Sequence, residues 1–197
     1  MEKSNTKKRA TILFGSPHRR GFTGLLLEEY LQALGDHFHT EMVNAYDLKI
    51  EPCQGCGFCE KQDGCMIPDF NKIDQLLRTA DLLLVATPIY YLGLPAPLKA
   101  ILDRTQRYFS ARFSLGLHPP IAKHKEAALL LTCGAESGDG ADMISRQIKM
   151  AFTVLNATLR EEILWAGTDT NHDLSFLLPE IKAAAKKMQE RLPILAI

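Results

Sequence analysis

Four of the chain's five cysteines fall in one short run, Cys53-x2-Cys56-x2-Cys59-x5-Cys65. Thiolates are soft metal ligands and nucleophiles, so such a run can hold a metal centre or do thiol redox work. Gly55, Gly57 and Gly64 stand between the cysteines, and glycine permits the tight turns that aim several thiolates inward. Ferredoxin runs read C-x2-C-x2-C-x3-C-P, with the fourth cysteine serving another cluster. Here the last gap is five residues and Cys65 is followed by Met66. The longer gap lets one run close on a single 4Fe–4S cluster. Zinc more often sits between two separated C-x2-C units. Zinc, reduced thiols and a disulfide stand as alternatives to the cluster. An odd cysteine count in a chain with a full core favours metal or redox use over a disulfide framework. Cys133 stands apart and reads as a small buried residue.

Other candidates lie on three loops. Gly15-Ser16-Pro17-His18-Arg19-Arg20-Gly21-Phe22-Thr23-Gly24 follows an apolar run and opens a helical one. Backbone N–H groups at a helix start, with the Ser16 and Thr23 hydroxyls and Arg19, suit a phosphate monoester. The loop lacks both the Lys-Ser/Thr ending of nucleotide-hydrolysing loops and G-x-G-x-x-G. The alternative is an ordinary turn with Thr23 near the N-cap. Thr87-Pro88-Ile89-Tyr90-Tyr91-Leu92-Gly93 offers an aromatic wall for a planar ring, or a packing surface or subunit contact. Thr132-Cys133-Gly134-Ala135, running on to Gly140, lets backbone approach a ligand closely, or is a flexible connection.

The elements that position these loops follow from periodicity. Short apolar runs predict strands at 10–14, 38–43, 82–86, 127–132 and 158–166. Apolar spacing of three to four predicts helices at 23–34, 69–80, 97–107, 141–155 and 174–192. Asp69 is the expected N-cap of the second helix. Residues 109–125 read as a long loop. Strict alternation of strand and helix predicts an α/β fold, a doubly wound parallel sheet with right-handed crossovers. Ligands of such sheets lie beyond the carboxyl ends of the strands at the topological switch point, where loops 15–23, 87–97 and 132–140 emerge. The expected organisation is one domain, 1–197, with a cysteine-rich loop at 50–69.

Composition narrows the class. The 197 residues are 46% hydrophobic, enough for a full core rather than a disordered chain. Lys+Arg and Asp+Glu both total 23, so no net charge draws the chain to nucleic acid or an anionic membrane. No run is long enough to span a bilayer. The charged start, Met1–Arg9, and the short apolar run after it do not form a signal peptide. A cytoplasmic location is expected. His37, His39, His118, His124 and His172 show no ligand spacing among themselves, and Trp165 is expected in the core.

Gly15-Ser16-Pro17 with Thr23, Thr87-Pro88-Ile89-Tyr90-Tyr91, and Lys99 with Asp103-Arg104 together resemble the flavodoxin-like NADPH-dependent FMN reductases. The Cys53–Cys65 run narrows the resemblance to the iron–sulfur flavoprotein branch. It covers most of the chain and implies a sheet of order 2-1-3-4-5. It implies FMN with its phosphate at Ser16, His18, Arg19, the Gly21–Phe22–Thr23 backbone and the Thr23 hydroxyl. The isoalloxazine would lie against Pro88, Ile89, Tyr90, Tyr91 and Leu92, with Cys133, Gly134 and Ala135 nearby. Cys53, Cys56, Cys59 and Cys65 would ligate a 4Fe–4S cluster. Two positions depart from the family pattern: Phe22 replaces an Asn, and His18 followed by Arg19 replaces an Arg, which leaves open which side chains meet the phosphate. Lys99, Asp103 and Arg104 read as exposed structural or interface charges.

The implied activity is FMN-dependent oxidoreduction, either as an NAD(P)H:flavin or quinone-type reductase or as an iron–sulfur flavoprotein passing electrons between FMN and a 4Fe–4S cluster. NAD(P)H or a ferredoxin would be the electron donor, with no side-chain general base, since the flavin carries the redox chemistry. A homodimer or homotetramer is expected, with the cysteine loop and residues 108–124 in the contacts. The alternatives are a non-catalytic flavodoxin-like electron carrier, against which zero net charge argues, and a cysteine-based redox sensor.

Overall fold

Every apolar run read as a strand pairs into one sheet in the computed structural model, which describes residues 7–193. The charged opening at 1–6 lies outside those residues. The strands are β1 (Lys8–Phe14), β2 (Phe38–Asn44), β3 (Leu82–Pro88), β4 (Lys125–Thr132) and β5 (Ala157–Trp165). All neighbours are parallel, in the order β2-β1-β3-β4-β5. Parallel strands need crossovers, supplied by α1 (Phe22–Leu34), α2 (Asn71–Thr79), α3 (Ala96–Asp103), α4 (Gln106–Phe113) and α5 (Ala141–Leu155). The helix α6 (Leu178–Arg191) returns over the sheet.

The central strands β1, β3 and β4 bury both faces, and their side chains alternate between two core layers. Ala10, Ile12 and Phe14 of β1 join Leu82, Leu84 and Ala86 of β3 in the layer under α1 and α6. Leu13, Leu83 and Val85 enter the other layer with Ile73, Ile101, Tyr108 and Ile148 from α2 to α5. Trp165 is fully buried, as expected.

Three local expectations give way. The helix expected at 97–107 is two helices, and the first part of the expected loop at 109–125 belongs to α4. The chain turns at Arg104 and Thr105, where the Thr105 hydroxyl donates to the Leu102 carbonyl at 2.7 Å. Asp69 does not cap α2. It lies in a 3-10 turn at Pro68–Phe70, and α2 starts after Phe70 with no side-chain cap. Its carboxylate instead accepts from the Glu51 N–H at 2.8 Å and from Arg104 at 2.7 Å. Arg104 is not an exposed helical charge but 2% exposed. Lys99 and Asp103 are exposed, and they pair with each other at 2.6 Å. Among the described residues, no helix is long and apolar enough to cross a membrane.

Candidate functional site

The order β2-β1-β3 puts the switch point between β1 and β3, so the loops after these strands flank one crevice. The first loop turns back on itself before α1. Ser16 is buried, and its Oγ accepts from the His18 N–H at 3.2 Å. A Cβ at Gly24 would overlap the Arg19 carbonyl oxygen, so the turn passes over α1 only because residue 24 is glycine. Gly21 is the N-cap of α1, which has no side-chain cap and no acidic residue in its first turn. The N–H groups of its first turn have no intrahelical partner, which makes this end a place for an anion.

The side chains of the loop divide. Thr23 is not the N-cap; its buried hydroxyl shares a 2.7 Å hydrogen bond with Thr132 at the end of β4. Phe22 stacks edge-on against Trp165, with ring centroids 5.2 Å apart, and lies against His172. At this position only the Phe22 backbone is free for a phosphate. The exposed Arg19 guanidinium pairs with Asp47, beyond the end of β2.

The second loop is a tight corner. Tyr90 and Gly93 exchange backbone hydrogen bonds at 2.9 Å, with Tyr91 and Leu92 both in the left-handed region (φ 47° and 60°). Such corners normally take Asn or Gly, and non-glycine residues there store strain of about 1 kcal/mol each. Tyr91 is fully exposed, and Tyr90 and Leu92 are about half exposed. The Ile89 N–H donates to the Thr132 carbonyl at 2.9 Å, tying this loop to the third. A Cβ at Gly140 would come 2.6 Å from the Leu92 backbone, so the third loop packs directly beneath the corner. Tyr46, near Tyr90, has its phenol pKa raised by burial and by that neighbour. Cys133 is buried, its carbonyl accepting from the Thr168 N–H and hydroxyl at 3.0 and 3.1 Å. At Gly134 a Cβ would stand 2.5 Å from the Asp169 carboxylate.

The cysteine loop is built differently. Gly55, Gly57 and Gly64 all have positive φ (63°, 71° and 134°), and a 3-10 turn follows at Phe58–Glu60. Cys53, Cys56, Cys59 and Cys65 line one cavity of about 350 Å³. Among the described residues, no three Cys, His, Asp or Glu side chains converge at coordination distance. The thiols share a wall without closing on a point. Cys53 and Cys56 are exposed, whereas Cys59 and Cys65 are half-buried.

The other wall is the α3–α4 corner, whose Arg104, Arg107 and Ser110 repeat every three residues and face the thiols. Arg104 donates to the Glu51 carbonyl (2.8 Å), Asp69 (2.7 Å), the Ile67 carbonyl (2.7 Å) and Cys65 Sγ (3.3 Å). It therefore grips the loop on both sides of the cysteine run. Its guanidinium also lies over Phe70, 5.4 Å from the ring centroid. Arg107 approaches Asp63 and Asp74 at 3.5 and 3.4 Å. The Tyr108 hydroxyl donates to Asp74, and burial together with that carboxylate pushes its pKa well up. The Nε groups of Arg104 and Arg107 are buried without a partner. Four thiols on one cavity with guanidinium donors behind them fit a cysteine-ligated cluster, which carries negative charge. Arg107 and Ser110 were not singled out by motif reading; their signal was the three-residue repeat on a helix opposite a cysteine run.

A doubly wound flavodoxin-like sheet, with an anion-ready helix start at its switch point and a thiol-lined cavity, defines the class. Residues 9–170 match the model of the NADPH-dependent FMN reductases, and the chain belongs to that family. An iron–sulfur flavoprotein of Archaeoglobus fulgidus is 29% identical over 147 residues, covering 74% of this chain and 71% of that protein. One from Methanocaldococcus jannaschii is 34% identical over 94 residues, 47% of this chain and 49% of the relative. The chain thus aligns with about half the length of the latter. Among solved structures, the NAD(P)H:quinone oxidoreductase from Methanothermobacter marburgensis has the same fold. Its TM-score is 0.69 at 19% identity, covering 93% of this chain and 97% of that one.

Proposed function

We propose that this protein is an FMN-dependent oxidoreductase of the iron–sulfur flavoprotein type, with FMN on the three switch-point loops and a 4Fe–4S cluster on the cysteine loop. When bound, the flavin supplies two-electron chemistry and the cluster one-electron chemistry. The chain's own residues bind and orient. The Ser16 hydroxyl and the first-turn N–H groups of α1 receive the phosphate, with Arg19 and His18 at its exposed side. Pro88 to Leu92 provide a wall for the ring, and Cys133 to Ala135 bring backbone to its edge. Cys53, Cys56, Cys59 and Cys65 are the cluster ligands.

The observation that carries the reading is that one short helix joins the two sites. α3 leaves the ring-binding loop, and at its far end Asp103 and Arg104 reach the thiol cavity. Eight residues of helix rise only about 12 Å, which supports a single electron path between the two sites. NAD(P)H is the proposed donor, with a ferredoxin as the alternative. We also propose a homodimer or homotetramer. Tyr91, Phe109, Phe113, Leu117 and Met150 are large apolar side chains left exposed, as at surfaces that associate.

The test is anaerobic mixing of the FMN-loaded protein with NADH or NADPH while following the flavin absorbance. Bleaching by either is expected. Bleaching only by a reduced ferredoxin would assign an electron carrier fed by protein donors, and FMN-loaded protein that neither reduces would overturn the oxidoreductase reading.

A further inference from the structure

We infer that Arg104 and Ser110 set the electron affinity of the metal centre on the cysteine loop, through hydrogen bonds to the sulfurs of Cys65 and Cys59. The inference rests on the cluster reading above and adds to it two residues outside the cysteine motif.

Both residues are buried, both come from the α3–α4 corner, and each meets a different thiol. Arg104 Nη2 lies 3.3 Å from Cys65 Sγ, and Ser110 Oγ lies 3.4 Å from Cys59 Sγ. In the free thiol the Cys59 S–H is the donor. Once that sulfur is a thiolate ligand it has no proton, and the Ser110 O–H donates instead. The two contacted sulfurs are the half-buried pair, while Cys53 and Cys56 face solvent. Polar groups are thus supplied on the side of the cavity that water reaches least.

Arg104 is suited to this work in a way an exposed arginine is not. Its four other contacts hold the guanidinium plane in place, so the N–H aimed at Cys65 is preorganised. Adding one electron to a cysteine-ligated cluster adds negative charge that spreads onto the sulfurs. A donor already aimed at a sulfur stabilises the reduced form more than the oxidised one, which raises the potential. Deleting the donor lowers it. Among the described residues, neither Arg104 nor Ser110 hydrogen-bonds to the flavin loops, so the flavin couple is an internal reference.

The experiment is an anaerobic redox titration of the holoprotein, with dithionite supplying electrons through mediator dyes. The reduced cluster is read by electron paramagnetic resonance and the flavin by absorbance. Wild type, R104K, R104M and S110A are compared, each with its iron and sulfide content. S110A removes one hydroxyl and leaves the loop's anchors intact, so it remains informative if the arginine variants fail to assemble. The expected result is a lower cluster potential in all three variants, largest in R104M, which also loses the charge, with the flavin potential unchanged. Unshifted cluster potentials in S110A and R104K at wild-type iron content would overturn the inference. So would equal shifts of both centres, or loss of iron in the Arg104 variants with S110A unshifted, which would make Arg104 a clamp alone. Wild-type protein that holds FMN but no iron would instead overturn the cluster reading itself, and this inference with it.

Discussion

The flavin-side loops and the cysteine loop reach order by opposite routes. The first set grows out of strand ends: Gly15 N–H bonds Ala86, Ile89 N–H bonds Thr132, and Cys133 N–H bonds Trp165, all backbone to backbone. The sheet itself holds these loops through their backbone, so their form does not depend on any one side chain. The cysteine loop lies between β2 and α2 with no strand of its own. It is held from the side by side chains: the buried Arg104 guanidinium binds Glu51, Ile67, Asp69 and Cys65, and Arg78 and Arg107 pair with Asp63. A backbone scaffold tolerates side-chain changes. A clamp of side chains centred on Arg104 does not.

That contrast can be broken at several places. The largest effect is expected from C56S, which should abolish iron binding while FMN still binds, as metal analysis beside fluorescence titration would show. Loss of FMN in the same variant would mean the two sites fold as one unit. R104M leaves Asp69 without its buried partner and frees both sides of the loop. It should cost about 2–4 kcal/mol of stability, below the usual cost for a deeply buried pair because Asp69 is partly exposed. Urea unfolding measures this, and limited proteolysis should cut first within 50–69. Wild-type stability would deny the clamp.

Lys125, at the far end of the sheet, tests whether stability and sites are separable. Its ammonium is buried and donates to the Lys123 and Leu155 carbonyls at 2.8 and 2.9 Å. Burial, then the charges of Lys123 and Arg78, lowers its pKa from 10.5 to about 8. The folded state releases this proton before the unfolded state does. Stability should therefore rise by about 2–3 kcal/mol as pH climbs from 8 to 10.5. K125M should lose that rise, with FMN affinity and iron content unchanged; a rise that persists in K125M would assign it to another group. The smallest effect is expected at the flavin loops. S16A should weaken FMN binding by about 1–2 kcal/mol, one hydrogen bond to a charged phosphate. Fluorescence titration giving equal affinity would move the phosphate away from Ser16.

What the sequence made legible follows the same division. The central strands were readable because LLLVA at 82–86, ATILF at 10–14 and AALLLT at 127–132 are almost wholly apolar, a local signal that a sheet covered on both faces requires. The edge strands at 38–43 and 158–166 carry charged residues and give a weaker signal. The turn-forming glycines of the cysteine loop were readable for a similar reason, since positive φ is a property of the residue itself. The misread positions were those decided by distant partners. Asp69 carries an N-cap signal, but Arg104, 35 positions away, takes its carboxylate. Thr23 looks like a cap, but its hydroxyl meets Thr132, 109 positions on. The Arg104 charge looked solvated because nothing local announces that the cysteine loop will fold over it. Phe22, in place of the family's Asn, packs on Trp165, a contact that only the β5 end makes available.

The most direct test of the account is the ratio of iron and acid-labile sulfide to FMN in protein purified without oxygen. Roughly four of each per FMN is the predicted result, the content of one 4Fe–4S cluster on four cysteines. FMN bound at full occupancy with neither iron nor sulfide would contradict the account and leave the thiol-lined cavity without its proposed occupant.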